Sequence, residues 1–231
     1  MSANDSSIPI LYIDETLLVI NKPAGLPTLP DGFDPAAPYV RSLLEPHFGR
    51  LWIVHRLDRG TSGVLLLARS AEAHRALNSQ FDQRQVSKVY HALVTGSPAW
   101  DSKTVDLPLR ADVGHKHRTV VDPARGKPAL THLRVLERFS AFALVEAAPE
   151  TGRTHQIRVH LAALGHPLVA DALYGSLAAE ASQPVLHRLG LHARQLTIEH
   201  PRLRSVLHFE APYPEDFIRA FEIVAASPQI W

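Results

Sequence analysis

The order of apolar and polar positions along the chain predicts short strands broken by a few helices. Apolar, β-prone runs predict a hairpin over residues 10–22, and the stretch 22–38, dense in Pro and Gly, predicts a long loop. A short helix is predicted over 38–48. The runs 51–55 and 64–68 are almost wholly apolar and predict strands that flank a charged segment.

A helix is predicted over 71–85, because apolar residues repeat there every four positions and Ser70 precedes it as an N-cap. Its apolar face consists of Ala73, Leu77 and Phe81. The segment 86–96 then alternates with the period of a strand. One face of that strand carries Val86, Lys88, Tyr90, Ala92 and Val94.

The second half of the chain continues with strands and two helices. Further strands are predicted around 104–109, 117–121, 129–138, 142–148, 191–200 and 205–212. A helix is predicted over 154–165, with Thr154 as N-cap and Gly165 just past its end, and a terminal helix over 214–226 has acids in its first turn. Strands occur in clusters and do not alternate regularly with helices, which favours the α+β class.

Composition restricts the compartment and the chemistry. The 231 residues suit one domain, which we expect to span 10–231 in two lobes after a disordered tail at 1–9. The sequence has no cysteine, so thiol catalysis and disulfides are excluded. There is no apolar run near the roughly 18–20 residues that span a bilayer, and the N-terminus resembles no targeting signal, so we expect a cytoplasmic protein.

Charge is unevenly distributed although the formal net charge is only +1. Residues 41–90 contain eight Lys or Arg against four acids, and 110–138 contain seven against three. This basic middle region suits a phosphate-facing surface, or else a mixed solvated face.

A single carboxylate, Asp58, lies in the charged segment between the two apolar runs. An Asp that caps its own loop amides is the ordinary explanation. The concentration of hydrogen-bond donors around it favours a ligand-binding site instead. These donors are His55, Arg56, Arg59, Thr61 and Ser62.

Arg158 lies beside the apolar stripe of its predicted helix, which Ile157, Leu161 and Leu164 form. An Arg in such a position extends its head to solvent or pairs with an acid. If that acid is Asp58, the carboxylate stays ionised and can act as a nucleophile or a base.

Other chemistry finds little support. Lys88 and Tyr90 share a strand face, where Tyr packs in the core or stacks on a planar ligand. The fourteen His include no HExxH pair, and no P-loop, GxGxxG or GxSxG motif is present. A glycosidase usually needs two carboxylates. We therefore predict no metal and no cofactor.

The segment "HRLDRGTSGVLLLA" (His55–Ala68) resembles the signature of the RluA-type pseudouridine synthases, in which it carries the catalytic aspartate. Five further blocks resemble that family in order along the chain. They are "NKPAGLPT" (21–28), "KVYHALV" (88–94), "TGRTHQIRVH" (151–160), "DALYG" (171–175) and "LHARQLTIEHP" (191–201).

The resemblance implies roles for individual residues. Asp58 would be the nucleophile, Arg158 its ion-pair partner and Tyr90 the aromatic side chain that packs on the target base. Ile157 would form an apolar wall beside the base, and Arg56 would help to displace it. The remaining residues expected to bind substrate are Lys22, His55, Leu57, Arg59, Thr61 and Lys88.

The implied fold is the α+β pseudouridine-synthase fold, a long, mostly antiparallel mixed sheet in two lobes with flanking helices and a central RNA cleft. The implied reaction isomerises specific uridines in structured RNA, 23S rRNA or tRNA, after the base flips out of its stack. The partner would be an RNA stem-loop, bound by a monomer that contacts phosphates through the basic stretch 110–138, notably Arg118 and Lys127.

Two departures from the family pattern and three alternatives accompany this interpretation. The catalytic domain is expected to begin near Ile10 without an S4 RNA-binding domain, and Ala170 stands where Gly is usual, which we interpret as a packing detail. The alternatives are a related synthase without an S4 domain that acts on another tRNA position, a non-catalytic RNA-binding or chaperone protein, and a glycoside or nucleoside hydrolase.

Overall fold

The computed structural model describes residues 8–30, 32, 34–114, 117–175 and 185–226. Over these ranges the chain has twelve strands and four helices, which confirms the α+β class. It divides into two compact units. Unit 1 comprises Met1–Val86 and Ala193–Pro212, and unit 2 comprises Ser87–His192 and Tyr213–Trp231. Most of the predicted N-terminal tail lies outside the described residues.

The helices and strands follow the sequence prediction closely in their order. The strands are β1 (Ile10–Ile13), β2 (Leu17–Lys22), β3 (Trp52–Ile53), β4 (Ser62–Ala68), β5 (Ser87–Thr95), β6 (Ser102–Asp106), β7 (Leu109–Val113), β8 (Arg118–Val121), β9 (Leu130–Arg138), β10 (Phe142–Pro149), β11 (Leu191–Glu199) and β12 (Val206–Glu210). The helices are α1 (Val40–Phe48), α2 (Ala71–Asp82), α3 (Gln156–Ala163) and α4 (Glu215–Ala226).

Unit 1 is built around β4, all seven residues of which are buried. β4 pairs antiparallel with β2 and with the short β3, and β11 is its neighbour in the strand order, with β12 antiparallel to β11. Helix α2 packs Ala73 and Leu77 into the core of this unit, and the Ser70 hydroxyl accepts the Ala73 amide at 3.1 Å. The predicted cap and apolar face of α2 are therefore confirmed, although the helix ends at Asp82 and not at 85.

The predicted hairpin at the start of the chain is confirmed as β1 and β2, and the turn between them is organised by Asp14. Its Oδ1 accepts the amides of Thr16 and Leu17 at 2.6 and 2.7 Å. Its Oδ2 lies 2.8 Å from Nε2 of His200, a fully buried residue whose Nδ1 accepts the amides of Arg202 and Leu203. Since Nδ1 is an acceptor, the ring proton lies on Nε2 and is donated to Asp14, so this pair ties the turn after β11 to the first hairpin.

Asp14→Asn is expected to lower the free energy of unfolding by about 2 kcal/mol at pH 7, because hydrogen bonds to a charged acceptor are lost. Burial alone would raise the pKa of Asp14, but the hydrogen bonds from His200 and from the Thr16 and Leu17 amides outweigh it and hold that pKa well below its usual value. A depressed folded-state pKa gives stability that is present above the unfolded-state pKa of about 3.9 and is lost as the pH falls below it.

Urea unfolding of wild type and Asp14→Asn at pH 7 and pH 3 measures this effect, and the difference between them should shrink at pH 3. Glu15→Gln, in the same turn but with a side chain 78% exposed, is the matched control and should change stability little. An equal loss for Asp14→Asn at both pH values would contradict the expectation.

Unit 2 contains the antiparallel strand order β5-β10-β9-β6. In β5, alternate residues from Lys88 to Val94 lie on one face as predicted, with Ala92 and Val94 in the core and Tyr90 packed against it. Val86 precedes the strand and belongs to the core of unit 1.

The run predicted at 104–109 is divided in the structure between β6 and β7. β6 pairs with β9, whereas β7 pairs with β8 in a separate two-stranded hairpin. Pro108 stands between them and has no N–H to continue a ladder, which explains why the strand ends there.

Helix α3 begins one residue later than predicted, and the Thr154 N-cap is wrong. The N-cap residue is His155, in the left-handed region at φ 56°. Gln156, the first residue of α3, instead binds the segment ahead of the helix, because its Oε1 accepts the Arg153 amide at 3.0 Å and the Thr151 hydroxyl at 2.7 Å. Gly165, at φ 83°, follows the end of the helix as predicted.

Candidate active site

In unit 1, Asp58 is held by the residues on either side of it. The Leu57 carbonyl accepts a hydrogen bond from the Thr28 hydroxyl at 2.8 Å, and the Leu57 amide donates to the Thr28 hydroxyl oxygen at 3.2 Å. The Asp58 carbonyl accepts the Thr61 amide at 3.0 Å, which closes a turn beside it. Leu57 and Thr61 are buried and Asp58 is half-buried, so the backbone that carries the carboxylate is anchored in the core.

Lys22 joins the loop 22–28 to the charged segment. Its side chain is fully buried, and Nζ donates to the carbonyls of Pro23 and Leu26 at 2.8 Å and lies 3.5 Å from that of Arg59. The Gly25 amide donates to the same Arg59 carbonyl at 2.7 Å, and Arg59 Nε donates to the Gly25 carbonyl at 3.0 Å. Lys22 therefore fixes the backbone next to Asp58; that Lys22 binds substrate stays a prediction.

His55 contributes to the packing of unit 1. β3 ends at Ile53, and the Leu66 amide of β4 donates to Nε2 of His55 at 3.0 Å. The ring also stacks on Phe81 with centroids 5.0 Å apart. By contrast, Arg56 and Arg59 are exposed, so they are the cations of this segment that a large ligand can reach.

In unit 2, Arg158 pairs with Asp171, a carboxylate that is not among the predicted site residues. Its Nε and Nη2 each donate at 2.8 Å to Asp171, in a bidentate pair whose Asp side chain is 0% and Arg side chain 9% exposed. The guanidinium carbon also lies 5.0 Å from the ring centroid of Tyr174. That Arg158 pairs with an acid is confirmed; that it also pairs with Asp58 stays a prediction.

Tyr90 and Ile157 belong to the same part of unit 2. Ile157 is 6% exposed in the core cluster against which Tyr90 packs, so the predicted aromatic side chain and the predicted apolar wall share one cluster. Lys88, two residues before Tyr90 on β5, has its Nζ 3.4 Å from the Thr151 carbonyl, just ahead of α3. The face of β5 that carries Tyr90 is thereby tied to the segment that carries Arg158.

A buried histidine anchors the helix that carries Arg158. His160 Nδ1 is 2.9 Å from the Thr131 hydroxyl and Nε2 is 3.1 Å from the Leu107 carbonyl. Burial lowers the pKa of His160 despite the opposing effects of the Leu107 carbonyl and Asp106, so the ring is neutral at pH 7. Its role is to attach α3 to β9 and to the residues before β7.

The sequence motifs predict no role for Asp171 or Tyr174. Both residues lie in the block "DALYG", which resembles a family block but indicates no function by itself. Ala170, before that block, adopts φ 55°, a left-handed conformation that costs an L-residue free energy and that Gly adopts readily. The substitution of the usual Gly is thus a matter of backbone conformation, and not only of packing.

These features define an α+β protein with an anchored, half-buried carboxylate in one unit and a buried arginine–carboxylate pair beside aromatic side chains in the other. The family model described as RNA pseudouridylate synthase matches residues 16–163. The chain is 40% identical over 231 residues to the ribosomal large subunit pseudouridine synthase D of Pseudomonas aeruginosa, covering 94% of this chain and 71% of that protein. It spans 61–71% of the length of such synthases D.

Two further proteins align with this chain over nearly their whole length. The dual-specificity RNA pseudouridine synthase RluA of Escherichia coli is 41% identical over 204 residues, 88% of this chain and 92% of that one. The structure of human RNA pseudouridylate synthase domain containing 4 aligns with a TM-score of 0.75 at 29% identity, over 94% of this chain and 93% of that one. The chain belongs to the RluA-type RNA pseudouridine synthase family, and these similarities support isomerisation of uridine to pseudouridine in RNA as its reaction.

The family's members are isomerases, and the match confirms the predicted fold class and enzyme class. None of the helices among the described residues is long and apolar enough to cross a membrane.

Proposed function

We propose that Asp58 is the nucleophile of this synthase and that its substrates are uridines in stem-loops of ribosomal or transfer RNA. The observation that carries the first part is the anchoring of the Asp58 backbone, because hydrogen bonds at Leu57, Arg59 and Thr61 fix it on both sides. A reagent held in this way meets its target without the cost of ordering a loop. For ribosomal RNA, the second part is supported by similarity to ribosomal large subunit pseudouridine synthases and to a dual-specificity RNA pseudouridine synthase. For stem-loops and transfer RNA, it rests on the resemblance of the sequence motifs to the RluA-type family.

The reaction breaks the C1′–N1 glycosidic bond, turns the uracil and bonds C5 to C1′. C5 then loses its proton and N1 takes up a proton, so the product is an isomer of the substrate. The Asp58 carboxylate would add to the uracil ring or to C1′ of the sugar and would leave again when the new bond forms. Arg158 would pair with this carboxylate and orient it. The uracil is the group that leaves C1′, but it stays in the site and returns through C5, so no base is released.

A paired or stacked uridine must leave its stack to reach Asp58, at a cost of a few kcal/mol. Tyr90 would stack on the extruded base, and Ile157 would line the same apolar surface. Arg56 is exposed and would take the place of the displaced base or hold its phosphate. We further propose that the protein acts as a monomer in the cytoplasm.

The test is a pseudouridine map of total RNA from cells that lack this gene, with and without the wild-type gene restored. Loss of one or a few sites that return with wild type would support the proposal and identify the substrate. Release of free uracil by purified protein would indicate a hydrolase. An unchanged map would favour an RNA-binding protein without catalysis.

Exposed cations near the β7–β8 hairpin are the proposed phosphate contacts. Several Arg in the basic stretch are already paired: Arg110 with Asp122, Arg134 with Glu146 and Arg138 with Asp101. Arg118 is half-buried, with its guanidinium carbon 6.0 Å from the Tyr174 ring centroid. Arg125 and Lys127 are exposed, and neither has an ion pair among the described residues.

Lys127→Glu is expected to weaken RNA binding about 3- to 10-fold and to reduce the slope of log affinity against log salt by about 1, because one phosphate contact is lost. Filter binding between about 50 and 200 mM salt measures both quantities. Arg219→Glu on α4 makes the same change of charge on the same unit and serves as the control. Equal effects of the two substitutions would show that only net charge matters.

A further inference from the structure

The turn 170–175 meets Arg158 with two different groups. Asp171 engages one edge of the guanidinium in its plane, through Nε and Nη2, both at 2.8 Å. Tyr174 presents its ring to the guanidinium, whose central carbon is 5.0 Å from the ring centroid. In-plane bidentate bonds and a ring contact together restrict both the direction and the plane of the guanidinium.

Asp171 is itself fixed by the backbone of the turn. Its Oδ1 accepts the amides of Leu173 at 3.0 Å and Tyr174 at 3.2 Å in addition to Arg158 Nη2. Its own carbonyl accepts the Gly175 amide at 2.7 Å, and a Cβ at Gly175 would lie only 2.6 Å from that oxygen. The "D" and the final "G" of the "DALYG" block are therefore parts of one compact turn that orients the carboxylate.

Tyr174 is fixed at its other end. Its hydroxyl accepts the Thr119 amide of β8 at 2.8 Å and lies 2.8 Å from Nδ1 of His155, the residue that precedes α3. The ring is thus attached both to the β7–β8 hairpin and to the helix that carries Arg158. An Arg side chain has many rotamers, and the contacts with Asp171 and Tyr174 restrict Arg158 to few of them.

We infer that Asp171 is a positioning residue for the isomerisation, and that Asp171 and Tyr174 together form a cradle that holds the Arg158 guanidinium in one orientation. The inference rests on the proposed function, in which Arg158 acts on Asp58. Asp171 engages the Nε and Nη2 edge of the guanidinium, which supplies two of its five N–H groups. Asp171 is then a second carboxylate, besides Asp58, that serves the reaction. It acts through Arg158 and does not contact the RNA.

The experiment compares Asp171→Asn with wild type on a short transcript that carries the mapped uridine. Asn keeps the size and one acceptor oxygen but loses the charge, so the guanidinium is expected to shift. A misplacement of about 1 Å can cost about 100-fold in rate, and we expect a loss of that order in kcat with KM changed less than about threefold. Thermal unfolding monitored by circular dichroism reports whether each variant is folded at the assay temperature.

The same unit contains a matched control. Arg188 and Asp216 form a bidentate pair of the same type, with Nε–Oδ2 at 2.7 Å and Nη2–Oδ1 at 3.0 Å. Asp216→Asn removes the same charge from that pair and should leave kcat within about twofold of wild type. Asp171→Glu restores the charge in a longer side chain and should recover part of the kcat that Asp171→Asn loses.

Each outcome decides between the two hypotheses. Wild type that forms no pseudouridine overturns the proposed function. If wild type is active and Asp171→Asn keeps full kcat, the inference is overturned and the proposed function stands. The same holds if the unfolded fraction of Asp171→Asn fully explains its loss in kcat. If Asp171→Asn does not fold, Tyr174→Leu decides: about a tenfold loss in kcat in a folded protein supports the cradle, and an unchanged kcat overturns it.

Discussion

Asp58→Asn is expected to abolish pseudouridine formation, with a fall in rate of at least about 10⁴-fold, while RNA affinity changes less than about threefold. An amide of the same size is not a nucleophile, and loss of the reacting group removes the reaction pathway itself. The variant should fold, because Asn keeps the hydrogen bonds with which the backbone of Leu57, Asp58 and Arg59 anchors this loop. A loss of activity would then be chemical in origin.

The measurement is pseudouridine formed in single-turnover conditions, alongside filter binding of the same RNA. Asp82→Asn, at the exposed end of α2, makes the same change of charge away from the loop and should retain full activity. In cells that lack the gene, Asp58→Asn should restore none of the lost sites. Restoration of all sites by Asp58→Asn would show that Asp58 is not the reagent and would favour the RNA-binding interpretation.

Features set by residues close together in sequence could be predicted. The charged segment around Asp58, the Ser70 cap and the hairpin over residues 10–22 each depend on contacts within a few positions, and the structure has the cap and the hairpin where the sequence predicts them. The strand alternation that sets Tyr90 on the core face of β5 is likewise local. Periodicity and turn chemistry carry such information directly.

Features that depend on contacts between residues far apart in the sequence could not be predicted. The acid that pairs with Arg158 lies 13 positions further on, and it reaches the guanidinium only because the turn 170–175 returns to α3. Sequence rules place Lys at the surface, whereas Lys22 is fully buried because three carbonyls of its own loop and the Asp58 segment converge on Nζ. The contact of His55 with β4 is also distant, since its Nε2 accepts the amide of Leu66; that His55 binds substrate stays a prediction.

The glycine in the "TSG" of the Asp58 segment illustrates a constraint of the same distant kind. Gly63 in β4 has φ 116°, a region that side chains rarely adopt. A Cβ there would lie 2.2 Å from the Ala193 carbonyl oxygen and 2.7 Å from its carbon and nitrogen, all backbone atoms of β11. These atoms cannot move without displacing the strand next to β4, so Gly63 is needed for the close approach of the two backbones.

Gly63→Ala is therefore expected to destabilise the protein by about 4 kcal/mol, the sum of a conformational cost of about 1 kcal/mol and a steric cost of about 3 kcal/mol. Gly49→Ala separates the two, because Gly49 also has positive φ, at 72°, but has nothing within 4 Å of its Cβ position. Urea unfolding should show about 1 kcal/mol lost for Gly49→Ala and several times more for Gly63→Ala. If the two losses were equal, the approach of β11 to β4 would impose no steric requirement, and the glycine that follows the Asp58 turn would serve backbone conformation alone.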